Sequence, residues 1–125
     1  MDKKRILCVD DSNLILLMER LVLGREGFEL LTASDGEQAM TRALADRPVL
    51  ILLDVVMPSI SGVEVCRRLR ADKETAAIPI IMVTTHAEGE MVERAFESGC
   101  NDFVSKPIDP IELLAKVRNY LGMTA

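Results

Sequence analysis

Polar side chains that can do chemistry follow four short apolar segments of this 125-residue sequence. They are two acids, a single acid, two hydroxyls and an amine, namely Asp10, Asp11, Asp54, Thr84, Thr85 and Lys106. Each residue type has an ordinary use, because aspartates cap helices and turns, threonines bond locally and lysines are usually solvated. Together the six contain what metal-assisted phosphorylation of a carboxylate requires.

The chemistry follows from the charges. Carboxylates gathered at one place repel one another, and a divalent cation relieves that repulsion. Mg²⁺ takes oxygen ligands and keeps several waters, so two carboxylates and a backbone carbonyl suit it. A carboxylate is a competent nucleophile toward phosphorus and gives an aspartyl phosphate. Phosphoryl transfer then needs positioning and charge neutralisation, which a lysine ammonium and a threonine hydroxyl supply.

The elements that must position these residues alternate along the chain. Short β-rich segments are predicted at Arg5–Val9, Phe28–Thr32, Val49–Leu53, Ile78–Val83 and Asp102–Val104. The third and fourth are apolar on both sides, which is typical of central strands in a parallel sheet covered by helices on both faces.

Segments of helical period lie between these strands. The first carries an apolar stripe of Leu14, Leu17, Met18, Leu21 and Val22. The last begins with Asp109 as its cap and Pro110 at the first helical position.

Five βα units predict a doubly wound α/β sandwich with a five-stranded parallel sheet. Crossovers between parallel strands are right-handed, and helices must cover both faces. In such folds ligands bind beyond the carboxyl ends of the strands, where the strand order reverses. The second strand ends without a candidate polar residue and is expected at an edge of the sheet. The remaining strand ends should converge, and the candidate residues with them.

Composition excludes several classes of function. We expect one domain over residues 1–125, since the length is that of a single globule. The net charge is -5, with basic clusters only at Lys3–Arg5 and around Arg67–Arg70, so direct nucleic-acid binding is not expected. No window approaches the roughly 18 consecutive apolar residues of a membrane span, and the first apolar run is too short for a signal peptide. We therefore expect no membrane contact and a cytoplasmic location.

Neither the three cysteines nor the histidine is expected to bind a metal. Cys8, Cys66 and Cys100 lack CxxC spacing and are expected to be buried free thiols. His86 is the one histidine of the sequence, which gives no support for a zinc site.

Four stretches carry a family resemblance. They are ILCVDDS (Ile6–Ser12), LLDVVMPSISG (Leu52–Gly62), VTTHA (Val83–Ala87) and SKP (Ser105–Pro107). On these motifs, in this order and spacing, the sequence resembles the receiver domains of two-component response regulators over essentially its whole length. The resemblance implies a flavodoxin-like, CheY-like (βα)5 fold with strand order 2-1-3-4-5.

The resemblance also implies a phosphorylation centre. Asp54 matches the phospho-acceptor, which takes a phosphoryl group from a phosphohistidine on a sensor histidine kinase or a histidine phosphotransfer protein. Asp10 and Asp11 match the acidic pair that holds Mg²⁺, together with Asp54 and the backbone carbonyl of Val56. Backbone N–H groups of Val56 and Thr85 would contact the phosphoryl group. The protein would be no enzyme beyond its own phosphorylation and dephosphorylation.

A switch is implied as well. Thr84 matches the hydroxyl that moves toward the phosphoryl group, and Phe103 the aromatic side chain that rotates inward on activation. Lys106 matches the phosphoryl-binding lysine, and a cis bond to Pro107 would aim it into the site. The face of the fourth helix, fifth strand and fifth helix would then change shape to control a downstream protein or a fused output domain. A phosphorylation-dependent dimer stays open.

Three positions deserve comparison with the family pattern. Thr85 stands where the family usually has Ala, Gly or Ser, so we expect slower phosphorylation by small donors. His86 occupies a position that the family uses to tune the lifetime of the phosphorylated state. Phe103 lacks the hydroxyl of a tyrosine, so packing alone must report the active state.

Other functions are weighed against the same residues. A phosphorylation-independent docking module would normally lack one of the acids or the lysine, and all are present. A Mg²⁺-dependent phosphatase with a nucleophilic aspartate needs an acid two residues after the nucleophile, where Val56 stands. A flavin carrier shares the topology, but the sequence has no tryptophan and no Ser/Thr/Gly-rich phosphate loop after the first strand.

Overall fold

The computed structural model describes residues 3–85 and 89–123. Within these ranges strands and helices alternate in the order β1 (Arg5–Val9), α1 (Asn13–Gly24), β2 (Glu29–Ala33), α2 (Gly36–Asp46), β3 (Leu50–Asp54), α3 (Gly62–Ala71), β4 (Ile80–Thr84), α4 (Glu90–Glu97), β5 (Asp102–Ser105) and α5 (Pro110–Tyr120). All strand pairs are parallel, and the order is β2-β1-β3-β4-β5. The predicted doubly wound fold and strand order are confirmed.

β1 has its predicted boundaries, whereas those of the other four strands differ from the predicted ones by one or two residues. β4 begins at Ile80 rather than Ile78, because the Ile78 amide donates to the Thr75 carbonyl in a turn (3.2 Å) and Pro79 has no amide to pair. β3 extends to Asp54, which pairs with Val83 in the parallel ladder. Two candidate residues, Asp54 and Thr84, are thus the last residues of their strands rather than loop residues.

The sheet separates two apolar cores. Helices α2, α3 and α4 pack on one face, and α1 and α5 pack on the other. The alternation of strand side chains feeds both layers, so that in β1 Leu7 and Val9 belong to the first core while Ile6 and Cys8 belong to the second. Every residue of β3 and β4 is buried, as their continuous apolar sequences predicted. No helix in the described ranges is long and apolar enough to span a membrane.

The apolar stripe predicted for α1 is only partly the buried face, because Met18 and Val22 pack against the second core while its three leucines do not. Leu14, Leu17 and Leu21 are exposed over half or more of their surface, at 65%, 50% and 54%. The inner face of the helix is instead marked by Glu19 and Leu23, which are four residues apart and fully buried. Because this helix is apolar on nearly all sides, periodicity alone could not choose the side that meets the sheet.

Side-chain caps fix the helices that begin beside the carboxyl edge of the sheet. Ser12 accepts a hydrogen bond from the amide of Ile15, and Ser61 accepts one from that of Glu64. Asp109 caps α5, as predicted, with Pro110 in its first turn. Each cap ties the loop that follows a strand to the start of the next helix, so the loop residues near the strand ends are held in place.

Gly62 should be irreplaceable because its backbone lies against the end of β3. A Cβ built there would lie 2.0 Å from the carbonyl oxygen of Asp54, and the Gly62 amide donates to the Val55 carbonyl at 2.8 Å. We expect Gly62→Ala to lower the free energy of unfolding by about 2 kcal/mol or more, since the backbone must shift.

Gly24→Ala is the matched control, because nothing lies within 4 Å of the added Cβ at the end of α1. Alanine should stabilise that helix by up to about 1 kcal/mol. Urea denaturation of both variants measures the difference. Equal midpoints for Gly62→Ala and Gly24→Ala would contradict the packing argument.

Candidate functional site

The candidate residues converge at the carboxyl edge of the sheet. Asp10 follows β1, Asp54 ends β3, Thr84 ends β4 and Lys106 follows β5. The chain moves from β1 to β2 on one side and returns to β3 on the other, so the strand order reverses between β1 and β3. Asp10 and Asp54 therefore flank the point at which doubly wound folds bind ligands.

Three carboxylates form a tight cluster there. Asp10, Asp11 and Asp54 each offer an oxygen within 4.8 Å of the others. Asp10 and Asp54 are buried, at 1% and 5% exposure, whereas Asp11 is exposed. Two carboxylates are thus withdrawn from water, while the third remains in contact with solvent.

Lys106 is the cation that compensates the buried acids. Its Nζ atom lies 2.8 Å from Oδ2 of Asp10 and 3.5 Å from Oδ1 of Asp54. Its backbone amide donates to the carbonyl of Thr84 at 2.9 Å, and its bond to Pro107 is cis. Burial opposes the charge of the lysine, but the hydrogen bond to Asp10 and the charges of both acids outweigh it and raise the pKa of Lys106.

Asp54 is a partly desolvated carboxylate. Burial and the charge of Asp10 raise its pKa to about 6, while Lys106 and the amide of Val56 favour the ionised form. That amide donates to Oδ1 of Asp54 at 3.3 Å. Asp10 is held from the other side, because its Oδ1 atom accepts from the amide of Ser12 at 2.9 Å. Both carboxylates are therefore oriented by backbone donors.

The donor set fits a hard divalent cation. Three carboxylates and one lysine leave a negative charge at the edge of the sheet, and all candidate ligand atoms are oxygens. Asp11 is exposed, so the cluster has room for the waters that Mg²⁺ retains. Among the described residues, those that could hold the ion are Asp10, Asp11 and Asp54.

The two predicted switch residues, Thr84 and Phe103, lie in different parts of the structure. Thr84 is buried at 3% exposure beside the acids, and Thr85 is exposed. Phe103 lies half-buried between α4 and α5, in an edge-to-face contact with Phe96 at 6.0 Å between ring centroids. His86 lies outside the described residues.

Lys116 of α5 also holds Phe103. Its Nζ atom is 5.3 Å from the ring centroid and donates to the Phe103 carbonyl at 2.7 Å. The ring thus contacts a cation and a second aromatic ring at the border of the first core.

The structure adds Glu19, which sequence reasoning missed. It is 1% exposed, and its Oε1 atom has no hydrogen-bond partner among the described residues. Burial, followed by the negative charge of Asp10, raises the pKa of Glu19 to about 8, against the opposing charge of Lys106. The available signal was a lone acid within the apolar run LILLMERLVL, four residues before Leu23.

The expected thiols are buried and free. Cys8, Cys66 and Cys100 form no disulfide, and burial raises the pKa of each. They are therefore inert packing residues, as the sequence indicated.

The fold and the site define a class: a doubly wound α/β domain with an acidic centre and a lysine at its switch point. The model of the response regulator receiver domain family matches residues 6–118. The chain belongs to this family.

Similar proteins agree with that assignment. The DNA-binding response regulator MtrA of Mycolicibacterium smegmatis is 43% identical over 116 residues, which cover 93% of this chain and 50% of MtrA. A putative response regulator from Chloroflexus aurantiacus matches with a TM-score of 0.92 and 34% identity, covering 97% of this chain and 99% of the other.

A third relative was solved with a bound metal ion. It is the receiver domain of the sensor histidine kinase PA1611 from Pseudomonas aeruginosa, solved with a magnesium ion in its active site cleft. It matches with a TM-score of 0.90 and 28% identity, covering 97% of this chain and 99% of the other. The chain spans about half the length of MtrA, and the expected absence of nucleic-acid contact stays a prediction.

Glu19 should make the stability of the protein fall as pH rises. Its pKa is about 8 in the folded state against an ordinary value of 4.5. Between these values the folded protein binds one more proton than the unfolded chain, so the free energy of unfolding decreases with pH. We expect a loss on the order of 3 kcal/mol between pH 5 and pH 8, and Glu19→Gln should remove most of it.

Urea denaturation in EDTA across this pH range measures the effect. Asp54→Asn is the matched control, because the pKa of Asp54 is raised to about 6 and its contribution to the slope should end there. A Glu19→Gln variant that keeps the slope of the wild type above pH 6 would show that Glu19 is not the responsible group.

Proposed function

We propose that this chain is the phosphorylatable receiver of a two-component response regulator, with Asp54 as the phospho-acceptor. The phosphoryl group comes from a phosphohistidine on a sensor histidine kinase or a histidine phosphotransfer protein. The observation that carries the proposal is Lys106 bridging Asp10 at 2.8 Å and Asp54 at 3.5 Å at the switch point of the sheet. A lysine in this position can pair with a phosphoryl group on Asp54 without leaving the site.

The reaction is a transfer between two nucleophiles. A carboxylate oxygen of Asp54 forms a bond to phosphorus while the P–N bond to the donor imidazole breaks, and its electron pair returns to that nitrogen. Asp54 must be ionised to attack, and Lys106 and the Val56 amide favour that form. The backbone amides of Val56 and Thr85 would donate hydrogen bonds to the phosphoryl oxygens.

Mg²⁺ completes the site in this proposal. Asp10, Asp11, Asp54 and the carbonyl of Val56 would hold it, and it would neutralise charge on the phosphoryl oxygens. The magnesium ion of the related PA1611 receiver supports this choice of metal. The protein's own contribution is the fixed orientation of Asp10 by the Ser12 amide and of Asp54 by the Val56 amide.

Phosphorylation then shifts a conformational balance. The phosphoryl group adds negative charge and strong acceptors at Asp54, which Thr84 and Lys106 engage. Phe103 leaves its contacts with Phe96 and Lys116 and moves inward, so the face of α4, β5 and α5 changes shape. A shift from mostly off to mostly on takes roughly 5 kcal/mol of differential stabilisation.

The changed face would act on a downstream protein or on an output domain of the same polypeptide. MtrA is named a DNA-binding response regulator, which makes control of a DNA-binding output one form of this proposal. We place the protein in the cytoplasm and treat residues 1–125 as the receiver unit. Phosphorylation-dependent dimerisation would have to be measured on the phosphorylated protein.

The first test is intact-mass spectrometry after incubation with a phosphorylated histidine donor or acetyl phosphate, with and without Mg²⁺. We expect one phosphoryl adduct that requires Mg²⁺. Asp54→Asn, which keeps the size of the side chain but removes the nucleophile, should show none. Beryllofluoride binding, followed by NMR in the presence of Mg²⁺, reports the same site without transfer chemistry.

If neither an adduct nor beryllofluoride binding were found, the switch would be refuted. A constitutive docking module with the same fold would then become the better description.

Thr85 should slow small phosphodonors. It is exposed next to Thr84, and in this proposal its branched side chain would narrow the path of a phosphodonor to Asp54. We expect Thr85→Ala to raise the rate with acetyl phosphate several-fold while leaving the affinity for Mg²⁺ unchanged, since Thr85 is not among the acidic ligands. Thr85→Ser is the matched control, because it keeps the hydroxyl and removes the methyl group. Unchanged rates in both variants would exclude a steric role.

A further inference from the structure

Phe103 is held by side chains as well as by the sheet. It belongs to β5, the last strand in the sheet order, which pairs with β4 on one side. Its backbone amide donates to Oδ1 of Asp102 at 2.8 Å, and its carbonyl accepts from Nζ of Lys116 at 2.7 Å. Lys116 lies in α5, so a side chain of that helix is bonded directly to the predicted switch residue of the edge strand.

The ammonium group of Lys116 also faces the ring of Phe103. Its Nζ atom is 5.3 Å from the ring centroid, which is within the roughly 6 Å over which a cation is attracted to an aromatic face. Phe96 contacts the same ring edge to face, at 6.0 Å between the two centroids. The ring therefore has two favourable partners in this position, one on α4 and one on α5.

Asp102 and Tyr120 hold the ammonium group in place. Oδ1 of Asp102 lies 3.3 Å from Nζ of Lys116, and its Oδ2 lies 3.2 Å from the hydroxyl of Tyr120. Tyr120 follows Lys116 by one helical turn and also donates to the carbonyl of Asn101 at 2.9 Å. The side chain of Lys116 is only 28% exposed. An ion pair near the surface contributes little stability by itself, but here it aims Nζ at Phe103.

The two contacts between Lys116 and Phe103 respond differently to a movement of the ring. Rotation about the side-chain bonds carries the ring away from Nζ, whereas the backbone carbonyl keeps its position. In the proposed function the ring moves inward on phosphorylation, so the contact between cation and ring belongs to the resting state alone. A contact made in one of two states shifts the balance toward that state by its own free energy.

We propose that Lys116 is a positioning residue of the switch, whose ammonium group favours the position of the Phe103 ring seen in this structure, the resting position. This inference rests on the proposed function. Lys116 lies outside the acidic centre and outside the four motifs that carry the family resemblance. Its contact with the ring sets part of the free energy that phosphorylation of Asp54 must supply. Removing the contact brings the unphosphorylated protein closer to the active state.

The test removes the charge and keeps the bulk of the side chain. Lys116→Met retains an unbranched stem without an ammonium group, and Lys116→Arg retains a cation that can lie over an aromatic ring. Affinity for beryllofluoride is measured by NMR titration at saturating Mg²⁺. We expect Lys116→Met to bind about fourfold more tightly than the wild type, within the range of one exposed contact between a cation and a ring. Lys116→Arg should bind like the wild type.

The direction of this change separates the role from a general effect of charge. Beryllofluoride binds as an anion, so the loss of a positive charge would by itself weaken binding, whereas a shift of the conformational balance tightens it. Tyr120→Phe is the matched control, because it removes a hydroxyl from the same network and leaves the cation at the ring. It should leave the affinity for beryllofluoride unchanged. All three variants should bind Mg²⁺ like the wild type, since neither residue is among the acidic ligands.

The position of the ring is a second measurement, independent of ligand affinity. The sequence has three phenylalanines, so a phenylalanine-labelled sample gives few NMR signals, and Phe103→Leu identifies the one from Phe103. Without ligand, Lys116→Met should move this signal toward its position in the wild type saturated with beryllofluoride. A purely structural role of Lys116 would lower the urea midpoint and leave the signal in place.

The failures are distinguishable. A wild type that binds no beryllofluoride would overturn the proposed function itself. A wild type that binds it, with Lys116→Met binding equally well or more weakly, would overturn the role of Lys116 alone. Tighter binding by Tyr120→Phe, equal to that of Lys116→Met, would do the same, because the network and not the cation would be responsible. If Lys116→Met does not fold, Lys116→Gln, a neutral variant that keeps an N–H donor, takes its place with the same expected result.

Discussion

The ion pair between Lys106 and the buried carboxylates of Asp10 and Asp54 is the interaction on which the site depends. Burial and the charge of Asp10 raise the pKa of Asp54 to about 6. The Lys106 ammonium, 2.8 Å from Asp10 and 3.5 Å from Asp54, opposes that shift and favours the charged form of Asp54. Three carboxylates share one lysine, so the cluster keeps a net negative charge that a divalent cation could neutralise.

The rest of the fold serves to hold these charges at one edge. Parallel pairing brings the ends of β1, β3 and β4 side by side, and two fully buried central strands make that edge rigid. The close contact of Gly62 with the Asp54 carbonyl fixes the loop after β3 from below. Phe103, by contrast, lies half-buried between α4 and α5 and contacts Phe96 edge to face.

The surroundings of Phe103 and Glu19 depend on tertiary packing. The Lys116 ammonium lies 5.3 Å from the ring centroid of Phe103 and donates to the carbonyl of the same residue. Glu19 is buried on the inner face of α1, and its Oε1 atom has no hydrogen-bond partner among the described residues.

The sequence by itself determined the doubly wound fold and the six residues at the strand ends, because period-2 and period-3.6 apolar patterns and local caps are properties of short segments. The full strand order followed from the resemblance of its motifs to a known family. Which face of α1 is buried was decided by tertiary packing, since that helix is apolar on almost every side and its phase is set by the sheet below it. The same packing put Glu19 in the core. The distances of Lys106 from its two acids also required the assembled sheet, because they join residues from three separate strand ends.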